Sequence, residues 1–229
     1  MGFEPSLESR GGGGATFGVA ALSPKPDAAP MFWSAALFAF GFGIFSMGFQ
    51  LLGSRLLGPW FGSSIVVWAF LISTFLAAFS VGSITGGVAA RRRPEQRYRW
   101  LSVILVVTVC GFLITALFGR FFLAWLDAQL WNISASLTLA NLLLFFLPVC
   151  GLAAITPLLV QRLTETGNDG GFASGFLYGA STIGNIVGIM ITAFFLIPTL
   201  PLSALLWVWF GAVLVLAGTL WQWLRSARS

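Results

Sequence analysis

Long apolar runs, separated by short polar connectors, dominate this chain. Six of them, at residues 31–53, 64–89, 100–119, 137–160, 176–198 and 202–224, reach the roughly 20 residues a helix needs to cross the hydrocarbon of a bilayer. In lipid, backbone polar groups are satisfied only inside helices or closed barrels, and these runs lack the alternation of barrel strands. The pattern predicts an all-α, polytopic membrane protein, a six-helix transmembrane bundle over residues 31–224. Between the third and fourth runs, RFFLAWLDAQLWNIS (Arg120–Ser134) repeats apolar residues at helical spacing, which predicts a short helix lying in the interface. Residues 1–30 are rich in Gly, Pro, Ser and Ala and predict a disordered cytoplasmic tail; residues 225–229 form a second short tail. The start lacks a basic segment followed by a short apolar core, so no cleaved signal peptide is expected. MGFEPS matches the loose myristoylation pattern M-G-x-x-x-S, which we read as chance.

Composition agrees with lipid as the solvent. The chain is 58% hydrophobic and 8% charged, where soluble domains carry about a quarter charged residues. Its net charge of +5 does not point to nucleic acid, because the basic residues cluster in one connector, Arg91 to Arg99. With the N-terminus inside, Arg10, Lys25, Arg91, Arg92, Arg93, Arg97, Arg99, Arg162, Arg225 and Arg228 are cytoplasmic, and Arg55 and Arg120 are outside. Basic residues gather on the cytoplasmic side, so both termini are expected there and the chain in the cell (inner) membrane. Trp33, Trp100, Trp221 and Trp223 would mark inner interfaces, and Trp60, Trp125 and Trp131 outer ones.

Chemistry is sparse. Cys110 and Cys150 sit within apolar runs without a CxxC partner, and histidine is absent, so no metal, disulfide or cofactor is expected. No Asp, Glu or His falls inside a predicted span, which argues against proton coupling and against a polycation. There is no Walker loop, GxSxG or HExxH, so the expectation is a protein that is not an enzyme.

Other residues carry candidate roles. In GSRLLGPWFGSS, Gly58-Pro59 would end the first helix, while Ser63 and Ser64 could cap the second. Arg55 is either an interface anchor or an anion or substrate contact. Gly82 with Gly86, Ser83 with Gly87, Gly175 with Gly179 and Gly184 with Gly188 form small-xxx-small pairs that allow close helix packing. Tyr178, Ser181, Thr182 and Asn185 form one polar stripe, serving interhelical hydrogen bonds or a solute path. Pro148 and Pro157 should kink the fourth span, where Asn141 is a further polar candidate.

The segment from Gln50 to Arg93 resembles the first two spans of the integral-membrane spermidine-synthase-like proteins. It carries Gln50, Arg55, Leu56, Leu57, Pro59, Gly62, Ser63, Ser64 and Trp68, then Gly82, Gly86, Gly87 and Arg91, at the family's spacing. ITPLLVQRL and GFASGFLYGASTIGNIVGIMITAFFLIP resemble later spans, so the likeness covers most of residues 31–200. It implies a major-facilitator-like membrane part that in relatives is fused to a cytoplasmic aminopropyltransferase domain. Three features depart from the pattern: Gln50 stands where many relatives have Glu, Ala90 replaces the acid before the loop arginine, and the sequence reaches Ser229 without the synthase domain. The expectation is therefore a non-catalytic membrane subunit or scaffold for a separately encoded, cytoplasmic synthase-like partner, with Arg91–Arg99 attracting an acidic surface or anionic lipid. The glycine faces would suit a homo-oligomer. The alternative is a small-molecule transporter, half of a major-facilitator protein working as a dimer and built from a three-plus-three repeat.

Overall fold

A computed structural model describes residues 29–129 and 132–226, and these are all helix, turn or coil. Among the described residues, six helices are long and apolar enough to cross a membrane: α1 (Ala29–Phe61), α2 (Ile65–Ala90), α3 (Pro94–Ala128), α4 (Ile133–Glu165), α5 (Gly170–Thr199) and α6 (Leu202–Ser226). Residues 1–28 of the expected tail, Trp131 and residues 227–229 lie outside the described residues.

Several helices outrun the predicted spans. α1 passes through Gly58-Pro59, because proline is tolerated where the helix loses one amide, and stops at Gly62, whose φ of 74° suits glycine. Ser64 caps α2, its Oγ accepting from Val67 N at 3.4 Å; Ser63 is exposed and makes no cap bond. No separate interfacial helix exists over the described part of Arg120–Ser134. Residues 120–128 continue α3, since no breaker interrupts the face that buries Leu123 and Leu126, and Asn132 caps α4 through Ser134 N at 3.0 Å. At 35 residues, α3 is about 52 Å long and must overhang a 30 Å hydrocarbon layer.

Both prolines of the fourth span lie inside α4. A π turn at Leu142–Phe146 precedes Pro148, and the helix continues through Pro157. Pro148 cannot donate to the Leu144 carbonyl four residues back, and Thr115 Oγ1 of α3 supplies the missing donor at 2.8 Å. A second π turn, Thr192–Leu196, precedes Pro198 in α5.

Glycines set the helix pairing. α1 packs most extensively on α5, and α2 on α4. Gly82 and Gly86 of α2 lie against the backbone at Cys150 and Ala154 of α4, while Gly184 and Gly188 of α5 lie against the backbone at Phe40 and Ile44 of α1. The device therefore recurs with helices one and four, and two and five, exchanged. Gly87, Gly175 and Gly179 do not take part: among the described residues, no atom of another helix lies within 4 Å of the position a Cβ would occupy on any of them. Spacing alone makes a small face, but only a partner helix on that side uses it.

The core has an aromatic centre. Phe49, Phe75, Phe112 and Phe145, one each from α1 to α4, are all fully buried, with ring centroids 4.4 Å apart for Phe49–Phe112 and 5.4 Å for Phe49–Phe145. α6 is held to α1 by Trp209, whose Nε1 donates to Phe45 O at 3.1 Å.

Candidate functional site

The polar stripe on α5 follows from its spacing. Tyr178, Ser181, Thr182 and Asn185 fall on one face of the helix, and the structure sets that face beside Ser46 of α1, Ser83 of α2 and Thr156 of α4. Together with Phe42, Met47, Phe79, Leu152 and Ala153 they line a cavity of about 250 Å³. The close glycine contacts create it: α1 is pinned to α5 and α2 to α4, so space remains between the two pairs. Ser83 lies about two turns from the end of α2 that leads to Arg91, so the cavity sits toward that end of the bundle. The phenylalanine cluster fills the other side.

Hydrogen bonding within the cavity is incomplete. Thr182 Oγ1 donates to Tyr178 O at 2.8 Å, a local bond within its own helix. Ser46 Oγ and Asn185 Oδ1 are buried with no hydrogen-bond partner among the described residues, and Ser46 is only 2% exposed. Buried polar groups are normally paired, so two orphans lining one cavity indicate room for something that pairs with them. Pro157 adds to this, because it cannot donate to the carbonyl of Ala153, a lining residue. Among the described residues, no charged side chain lines the cavity. It can therefore hydrogen-bond a hydroxyl- or amide-bearing molecule and offers nothing to neutralise an ion.

Comparison with family models, curated proteins and solved structures finds no match.

The remaining candidates are scattered. Gln50 is half-buried on α1 beyond Ser46, lines no cavity described here and makes no side-chain hydrogen bond among the described residues. Asn141 is fully buried just before the π turn of α4; its Nδ2 donates to Leu137 O at 2.8 Å and its Oδ1 has no partner among the described residues. Arg55 and Ser63 lie at the far end, together lining a separate cavity. No group of three metal-ligating side chains occurs among the described residues.

Sequence reasoning missed Ser46 and Thr156, and gave Ser83 a packing role alone. Ser46 and Thr156 are each a lone polar residue in an apolar run, and that isolation was the available signal. It also missed an ion pair at the loop end. Arg97, 7% exposed, binds Glu165 in a fork, Nη1 donating to Oε1 at 2.5 Å and Nη2 to Oε2 at 2.7 Å. Glu165 lies past the apolar part of α4. Burial pushes its carboxyl up, but Arg97, with help from Gln161 and Arg162, outweighs this and holds it below its ordinary value.

Proposed function

We propose that this chain is a non-catalytic, multi-pass protein of the cell (inner) membrane that binds a small uncharged polar solute and carries it across the bilayer as a pair of copies. The observation behind this reading is the cavity between α1, α2, α4 and α5, with its hydroxyl and amide lining and its unpaired Ser46 Oγ and Asn185 Oδ1. An alcohol, sugar-like or amide solute would satisfy those atoms, whereas a polyamine would meet no carboxylate. α5 is the least buried helix, with 17% of its most apolar window covered, and it exposes 42% of Tyr178. A second copy over this face would enclose the polar stripe, which lipid cannot hydrogen-bond. The repeated glycine pairing supports the likeness to half of a major-facilitator protein. Charge asymmetry favours both termini in the cytoplasm.

Efflux of glycerol, glucose and urea from liposomes containing the full chain tests this. Flux that Asn185→Leu abolishes, with helicity and thermal unfolding intact, supports the reading. Flux no greater than from empty liposomes, or unchanged in Asn185→Leu, overturns it.

A second reading, a membrane subunit for a separately encoded synthase-like partner, is favoured by Arg91, Arg92, Arg93 and Arg99, all exposed beside the locked Arg97. Affinity capture in mild detergent should recover a stoichiometric acidic partner, lost in R91Q/R92Q/R93Q. Capture without such a partner refutes this second reading.

A further inference from the structure

The end of the bundle opposite Arg91–Arg99 carries two arginines that sequence separates and the fold brings together. Gly119 of α3 lies against Leu56 of α1, close enough that a Cβ there would sit 3.3 Å from Leu56 Cδ2. The next residue on α3 is Arg120, and the preceding residue on α1 is Arg55. Both line a single cavity of about 450 Å³, walled also by Trp60 and by Leu202 and Ser203 at the start of α6.

Among the described residues, neither guanidinium forms an ion pair or hydrogen bond and no carboxylate lines the cavity. Asp127, on the same end of α3, is exposed and likewise unpaired among them. The start of α6 adds to the positive field. Leu205 N is bonded to Pro201 O at 3.1 Å, so the amides of Leu202, Ser203 and Ala204 come before that first turn closes. Free amides at a helix start carry partial positive charge and bind oxyanions. Arginine adds a planar fork that matches phosphate oxygens two at a time. A residue that merely anchored α1 at the interface would need one charge reaching outward, not two converging with a helix start on one space.

The geometry points to an oxyanion site of phosphate type between α1, α3 and α6, taking either a lipid headgroup phosphate or a soluble phosphate monoester. It is separate from the uncharged cavity between α1, α2, α4 and α5, and stands whether or not that cavity carries solute.

Thermal unfolding of the full chain in neutral detergent tests the site with two probes, phosphatidylglycerol and glycerol 3-phosphate, against chloride at matched ionic strength. Saturating ligand should raise Tm by about 5 °C or more. A rise with phosphatidylglycerol alone identifies a headgroup site, and a rise with both identifies a soluble-anion site. R55Q/R120Q should lose the rise, R55K/R120K should bind at least about tenfold more weakly than wild type, and R91Q/R92Q/R93Q should keep it. Should the double glutamine variant fail to fold, R120Q alone provides the comparison, since Arg120 is exposed. No rise with either probe, or an undiminished rise in R55Q/R120Q or R120Q, overturns the site.

Discussion

Gly188→Ala offers a direct measure of how tightly α5 is pressed onto α1. A Cβ added there would stand 2.8 Å from Ile44 Cα and 2.9 Å from the Ile44 carbonyl carbon. Carbon atoms rest at about 3.5–4.0 Å, so the two helices must part by about 1 Å. The obstacle is backbone, which cannot rotate aside as a side chain can. Overpacking of this kind costs about 1–3 kcal/mol, and a backbone clash belongs at the upper end. Alanine returns about 1 kcal/mol of helix propensity, leaving a net loss of about 2 kcal/mol. For a chain of this size that corresponds to a Tm lower by about 4–8 °C. Gly179→Ala is the matched control on the same helix, with nothing within 4 Å of the new methyl, and should leave Tm unchanged or slightly higher. Thermal unfolding of the monomer in detergent, followed by tryptophan fluorescence, reads both variants. Equal Tm values for the two would mean that α5 does not meet α1 along Gly184 and Gly188, and the helix pairing described here would be wrong.

Three further perturbations probe other contacts. Ser46→Ala removes a buried hydroxyl without a partner, so stability should hold or rise by up to about 1 kcal/mol while solute flux falls severalfold; a marked loss of stability would refute the orphan assignment. Thr115→Val should cost about 1–2 kcal/mol by stripping the Leu144 carbonyl of its donor, and less in a Pro148→Ala background, where a backbone amide returns; strict additivity in the double-mutant cycle would refute the repair. Glu165→Gln strands the buried Arg97 guanidinium at a cost of about 1–2 kcal/mol, softened by water because Glu165 is a third exposed. Because the folded carboxyl titrates below its ordinary value of 4.5, this contribution is fully present above pH 5 and fades as pH falls through the lowered value. The Tm gap between wild type and Glu165→Gln should therefore narrow in acid, and a gap constant with pH would contradict the ion pair.

What could be read from the sequence was what hydrophobicity alone decides. Six spans stand where the apolar runs stand, because lipid leaves such runs no other stable form. Their ends were less legible. Pro59 looks like a stop but is accommodated in the final turn of α1, and the break at Gly62 depends on a backbone angle. Pairing was less legible still. Gly175 with Gly179 and Gly184 with Gly188 are indistinguishable as spacings, yet only the second pair faces a neighbouring helix. The stripe Tyr178–Asn185 was visible on one helix, but the cavity also needs Ser46 and Thr156, contributed by helices whose proximity no local pattern encodes. Arg97 and Glu165 likewise read as loop charges until the fold brings their helices side by side.

The interlocked phenylalanines constrain how this molecule can change shape. Phe49 of α1 meets the rings of Phe75, Phe112 and Phe145, and Phe75 meets Phe145, so α1 cannot slide lengthwise past α2, α3 and α4 without parting these rings. α5 and α6 contribute no ring to that knot. A rearrangement that keeps these rings together leaves α5 and α6 as the helices free of them, and Gly184 and Gly188 mark where α5 lies closest to α1.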